Sequence, residues 1–193
     1  FTIFVFNIQL IKYFGNTGVS VYGIICNTVL VVVCLCKGIE QAAQPILSIN
    51  HGAGLYKRIL QVQSLSIKTS LIICSIPVAI GLIKPDIFVY IFLNPTENIL
   101  SLSSTAIRIY FSGFIFLGIN MVFICYFQSV AKSASALLLC LLRGCFLIIA
   151  FVYILPVILG ETGIWLAFPL AELVTMVVGI SLYKKYTKRF LKG

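Results

Sequence analysis

Lys37, Glu40, Gln41 and Gln44 stand at helical spacing inside a long apolar run, CLCKGIEQAAQPILSINHGAGLYKR over residues 34–58. Residues three and four apart share a helix face, so these four and Ser48 form one polar stripe. Lys37 and Glu40 are spaced to pair at i,i+3, which lowers the cost of burying either. A charge at the centre of a bilayer costs about 2.5–3.5 kcal/mol on insertion scales. Such side chains persist where they face a protein interior or a water-filled cavity. Two readings stand: an ion pair that joins helices, or a stripe that lines a path for a substrate or ion. The glutamines favour the second, because neutralising the pair does not need them.

Glu172 follows Pro169 in the apolar run GIWLAFPLAELV. A dry carboxylate there suits proton coupling. The alternative is a carboxylate near the membrane interface, hydrated or hydrogen-bonded to a neighbouring helix. Asn120 lies in another apolar run, where it lines a cavity or makes an interhelical hydrogen bond worth about 0.6 kcal/mol. Arg143 stands near one end of its segment and is expected to snorkel to lipid headgroups. That leaves Lys37 as the basic residue near mid-span.

The residue types exclude several classes of chemistry. No Ser-His-Asp set, Walker-type glycine loop or paired catalytic carboxylates occur, so an enzyme is not expected. A metal site is not expected either: seven cysteines are scattered through apolar runs beside a single histidine, His51. No cofactor is implied. The net charge of +9 owes much to Lys184, Lys185, Lys188, Arg189 and Lys192. A basic tail after an apolar segment reads as an anchor at an anionic lipid surface rather than a nucleic-acid face.

The surrounding elements must then be membrane spans. Hydrophobic residues make up 61% of the chain and charged residues 10%. That is too few polar side chains to cover a water-facing surface. A helix of about twenty residues crosses the ~30 Å hydrocarbon core. Apolar segments at about 1–12, 19–49, 65–93, 106–128, 136–159 and 163–183 give five full spans and one short one, followed by a basic tail over 184–193. The short one reads as the back half of a helix, so the chain is expected to be a piece of a longer protein. Short connections, including 50–64, 94–98 and 129–135, imply neighbouring antiparallel helices. Gly38, Pro45, Pro77 and Pro169 are expected bending points, since proline removes a backbone hydrogen bond. The lysines and arginines favour a cytoplasmic C-terminus in a plasma or inner membrane.

Gly38-Ile39, Gln41, Gln44-Pro45-Ile46 and Asn50-x-Gly52-Ala53 followed by Arg58 resemble the G-I-x-Q-x-x-Q-P-I…N-x-G-A…R run of the multidrug and toxin extrusion (MATE) family. FNIQLIKYFGNTGVSVYGI is similar to the stretch joining that family's seventh and eighth helices. Gly163-Ile164-Trp165-x-Ala167-x-Pro169-x-Ala171-Glu172 looks like the start of its last helix. The resemblance implies an all-α, polytopic lobe: six helices, the first truncated, of a twelve-helix transporter. It implies antiport, with a cationic or amphipathic drug leaving as Na⁺ or H⁺ enters, and a missing N-terminal lobe as partner. One branch of the family places acidic coupling residues in its seventh and tenth helices. Here the first segment and 106–128 hold no Asp or Glu, so no coupling ligand carries over. Glu40 and Glu172 are candidates on physical grounds, with Lys37, Gln41, Gln44 and Asn120 as pathway residues. A lipid-linked saccharide flippase of the same superfamily is the alternative, expected to show a more cationic cavity. A non-transporting fragment is a third reading.

Overall fold

The computed structural model describes residues 2–92 and 95–190, with side chains through Thr187. Asn94 of the expected loop, Lys192 of the tail and the side chains of Lys188 and Arg189 lie outside the described residues. The described residues are predominantly helical, with no strand among them. The elements are α1 (Thr2–Gly52), α2 (Tyr56–Ile83), α3 (Asp86–Phe92), α4 (Glu97–Phe111), α5 (Gly113–Ser129), α6 (Ser133–Leu141), a π-helical turn (Leu142–Phe146), α7 (Leu147–Leu159) and α8 (Glu161–Phe190). Five helical stretches are long and apolar enough to cross a membrane. The chain is an all-α, membrane-embedded bundle.

α1 is two helices joined by a reversal at Gly15, whose backbone sits at φ 61°, ψ −149°. That region is essentially restricted to glycine. The reversal brings Phe6 onto Tyr22, with rings stacked 4.9 Å apart. Sixteen residues of straight helix hold such a pair about 24 Å apart. Gly160, between α7 and α8, adopts nearly the same angles, φ 62° and ψ −145°. Both glycines open a Gly-x-Thr-Gly run, so one turn chemistry builds two hairpins.

α5 occupies the middle of the bundle and packs against α1, α2, α6 and α8. Its sequence, GFIFLGINMVFICYFQS, is apolar on every side, the pattern of a helix surrounded by others. Gly118 lets α2 approach closely: a Cβ there collides with Ser70 Oγ and falls 2.7 Å from Cys74 Sγ. Small residues at such crossings allow the tight packing that holds membrane helices together.

Three boundaries differ from expectation. The span expected over 106–128 begins at Glu97, as α4 running into α5. The span expected over 65–93 is α2 from Tyr56 to Ile83, followed by a short α3. Residues 56–64 are polar enough to read as loop, yet they continue the helix as its amphipathic end. At the other end Lys84 precedes Pro85, and a residue before proline is disfavoured in the helical region. The connections are correspondingly shorter: residues 53–55 join α1 to α2, and 130–132 join α5 to α6. Pro45, Pro77 and Pro169 lie within helices that run on through them. Gly38 is exposed in the second half of α1, with open space around it.

Candidate transport site in the membrane interior

Glu172 is 1% exposed and both of its carboxylate oxygens are occupied. Arg143 Nη2 donates to Oε1 at 2.7 Å and Arg143 Nε donates to the same oxygen at 3.0 Å. Asn120 Nδ2 donates to Oε2 at 2.7 Å and to the Glu172 carbonyl at 2.8 Å. The Asn120 Oδ1 atom is buried without a hydrogen-bond partner among the described residues. Three elements thus meet on one carboxylate: α5, the π-turn and α8.

Glu172 is thus hydrogen-bonded to neighbouring elements, one of the two alternatives open from the sequence. The expectation for Arg143 is corrected: it does not snorkel to headgroups, and its side chain is 18% exposed and pairs inward. A hydropathy reading places Arg143 near the end of its segment and cannot see the π-turn that carries it. Such turns insert one residue into an α-helix, rotate the facing of every later side chain, and are frequent at functional sites. Thr2 Oγ1 donates to the Gly144 carbonyl at 2.7 Å, tying this turn to the start of α1.

A cavity of about 430 Å³ ends on the Arg143–Glu172 pair. Its walls include Tyr22 and Cys26 of α1, Tyr110 of α4 and Phe168 of α8. Tyr110 and Phe168 stack at 4.3 Å with rings 4° from parallel, so each covers a face of the other and the pair stiffens this aromatic wall. The cavity is largely apolar, with a charged pair at its edge.

The polar stripe of α1 lies elsewhere along the same helix. Lys37, Gln41 and Gln44 are exposed, whereas Glu40 is buried. Lys37 Nζ pairs with Glu40 Oε2, the lysine side chain being 57% exposed and that of Glu40 10%. Cys125 Sγ of α5 donates to the Glu40 carbonyl at 3.6 Å. The cavity-lining positions Cys26, Leu30 and Val33 continue into Lys37, Gln41, Gln44 and Ser48 by steps of four and three. Cavity and stripe therefore occupy one flank of α1. Of the sequence candidates, Glu172 and Asn120 are brought together, while Glu40 faces a separate contact among α1, α2 and α5.

Gln63 escapes a reading by hydropathy: it is fully buried in α2, near Glu40, and neither side-chain amide atom has a partner among the described residues. The polar composition of 56–64 hides it, because that stretch reads as loop.

The MatE family model matches residues 1–154. The chain belongs to the MatE family. No curated protein matches it. Among solved structures, it is similar to an outward-facing multidrug resistance MATE transporter of the MOP superfamily, at 20% identity and a TM-score of 0.89, covering 100% of this chain and 43% of that one. It is similar to the inward-facing form of such a transporter at 19% identity and 0.88, covering 99% and 44%. A third likeness is to a MOP transporter from Pyrococcus furiosus, described as having a binding pocket of reversed polarity that suggests a different function. That match is 20% identical with a TM-score of 0.88, and covers 100% of this chain and 43% of the other. This MatE chain therefore spans less than half the length of the structures it matches, consistent with one lobe.

Proposed function

We propose that this MatE lobe belongs to a cation-coupled exporter of organic cations or amphipathic drugs, with H⁺ or Na⁺ as the coupling ion. The observation that carries the reading is the aromatic-walled cavity ending on Glu172. Aromatic faces attract organic cations by about 0.5–2 kcal/mol each, more as water is excluded. Glu172 exchanges partners in this scheme: Arg143 holds it at rest, and a proton, Na⁺ or a cationic cargo takes it in turn. The unpartnered Asn120 oxygen supplies a further acceptor beside the carboxylate. Competition for one acid couples the fluxes reciprocally. Lys37, Gln41 and Gln44 extend the path along α1 toward the missing N-terminal lobe, and rocking of the lobes alternates access. The setting is a cell membrane, with the C-terminus cytoplasmic.

The test is dye efflux by the complete transporter. Glu172→Gln is expected to abolish pH- or Na⁺-dependent efflux, and Glu172→Asp to retain part of it. Efflux and ion dependence unchanged in both Glu172→Gln and Glu40→Gln reject both coupling acids.

A second reading gains from Arg143. Its placement at the cavity removes the argument that Lys37 is the sole mid-span base, and so favours an anionic cargo such as a lipid-linked saccharide. In that case Arg143→Gln stops transport and glycan precursors accumulate, while sensitivity to cationic dyes stays unchanged.

A further inference from the structure

On the opposite flank of α1 from the polar stripe runs an apolar groove of about 440 Å³, closed on its other side by α2. On α1 it is lined by Leu35, Ile39, Ala42 and Ile46, roughly 160° around the helix from Lys37, Gln41 and Gln44. A lobe docked on the polar stripe leaves this groove facing lipid. On α2 it extends from Val62 to Ile73. Eleven residues of helix are about 16 Å, close to one leaflet of a ~30 Å hydrocarbon core.

Beside the groove, and meeting it at Leu65, lies a shallow polar recess formed by Gln61, Ser64 and Lys68. Lys68 is exposed and has no ion-pair partner among the described residues. It sits about 18 Å along α2 from Tyr56. α2 has 28 residues and exceeds the hydrocarbon thickness by about eight. With that excess at the polar Tyr56 end, Lys68 stands about one turn inside the apolar zone. Helical side chains lean toward the helix N-terminus, so its ammonium is carried back toward Ser64 and Gln61. Lys57, also exposed, continues the same face one turn further out. An unpaired cation at this depth calls for an anion that itself resides at the membrane interface.

We propose that the α1–α2 groove holds one acyl chain of an anionic phospholipid, whose phosphate is bound by Lys68, Ser64 and Gln61. Charge and chain length select the ligand together: the phosphate answers the lysine, and the groove accepts an acyl chain along one leaflet. The site is on the leaflet at the Gly52–Tyr56 turn. It is separate from the cavity at Glu172 and stands or falls independently of the transported cargo.

The experiment is native mass spectrometry of the detergent-purified protein titrated with palmitoyl-oleoyl phosphatidylglycerol or the matching phosphatidylcholine. Phosphatidylglycerol is expected to be retained about fivefold better, as one lysine near an anionic headgroup implies. Lys68→Gln removes that preference, and Lys68→Arg keeps it. Ala42→Phe fills the groove and lowers retention of both lipids. Equal retention of the two lipids overturns the proposal. So does unchanged preference in Lys68→Gln, or unchanged retention in Ala42→Phe.

Discussion

Arg143 and Glu172 are 29 residues apart and pair at 2.7 Å, joining the π-turn to α8 inside the bundle. Their partnership sets the polarity of the cavity. Each charge is tolerable there because the other is present, and the Asn120 amide takes the oxygen that Arg143 leaves.

Removing one partner leaves the other uncompensated. Arg143→Gln is expected to cost about 3–5 kcal/mol, as breaking a buried pair does. The double variant Arg143→Gln/Glu172→Gln is expected to recover much of that loss. Reversible unfolding in mixed micelles, run as a double-mutant cycle, measures it; additive single effects refute the coupling.

The Lys37–Glu40 pair provides a contrast. Its lysine is more than half exposed, so Lys37→Ala is expected to change stability by less than about 1 kcal/mol. The same unfolding assay reads it. A loss comparable with that of Arg143→Gln contradicts the exposure of this lysine.

Gly118 marks a close approach of α2 and α5. Gly118→Leu is expected to destabilise by about 1–3 kcal/mol, as overpacking does, because Ser70 and Cys74 already occupy the space. Gly144→Leu, with open space around its Cβ, serves as the control in the same thermal-stability measurement.

Gly15 and Gly160 carry the same strained backbone. Alanine at either is expected to cost about 1–3 kcal/mol. Matching losses in thermal stability indicate that the two hairpins rest on one turn chemistry; no loss at either refutes the constraint.

Single cysteines at Lys37, Gln41 and Gln44 test the path along α1. In the complete transporter, membrane-impermeant thiol reagents are expected to label all three, and bound cargo to slow labelling. Cysteine at Leu47, which is 1% exposed, is expected to stay unlabelled. Three stripe positions sealed in every state contradict a wet pathway.

Much of the architecture was legible in the chain. Apolar run lengths report membrane spans directly, because hydrocarbon thickness fixes how many helical residues cross it. The motif run around Gln41, Gln44 and Asn50 pointed to the MATE family, and the match over residues 1–154 established it. Helical spacing also grouped Lys37, Gln41 and Gln44 on one face. The start of α2 was misplaced because hydropathy sees polarity at Lys57, Arg58 and Gln61, whereas the backbone remains helical wherever one face can still be buried.

What the sequence alone determined was local: which segments are apolar and which side chains share a helix face. Only the tertiary structure decided the partners. Arg143, Asn120 and Glu172 belong to three elements, and their meeting depends on a π-turn and on the packing of α8 against α5. Those are set by long-range contacts that no periodicity along one helix encodes.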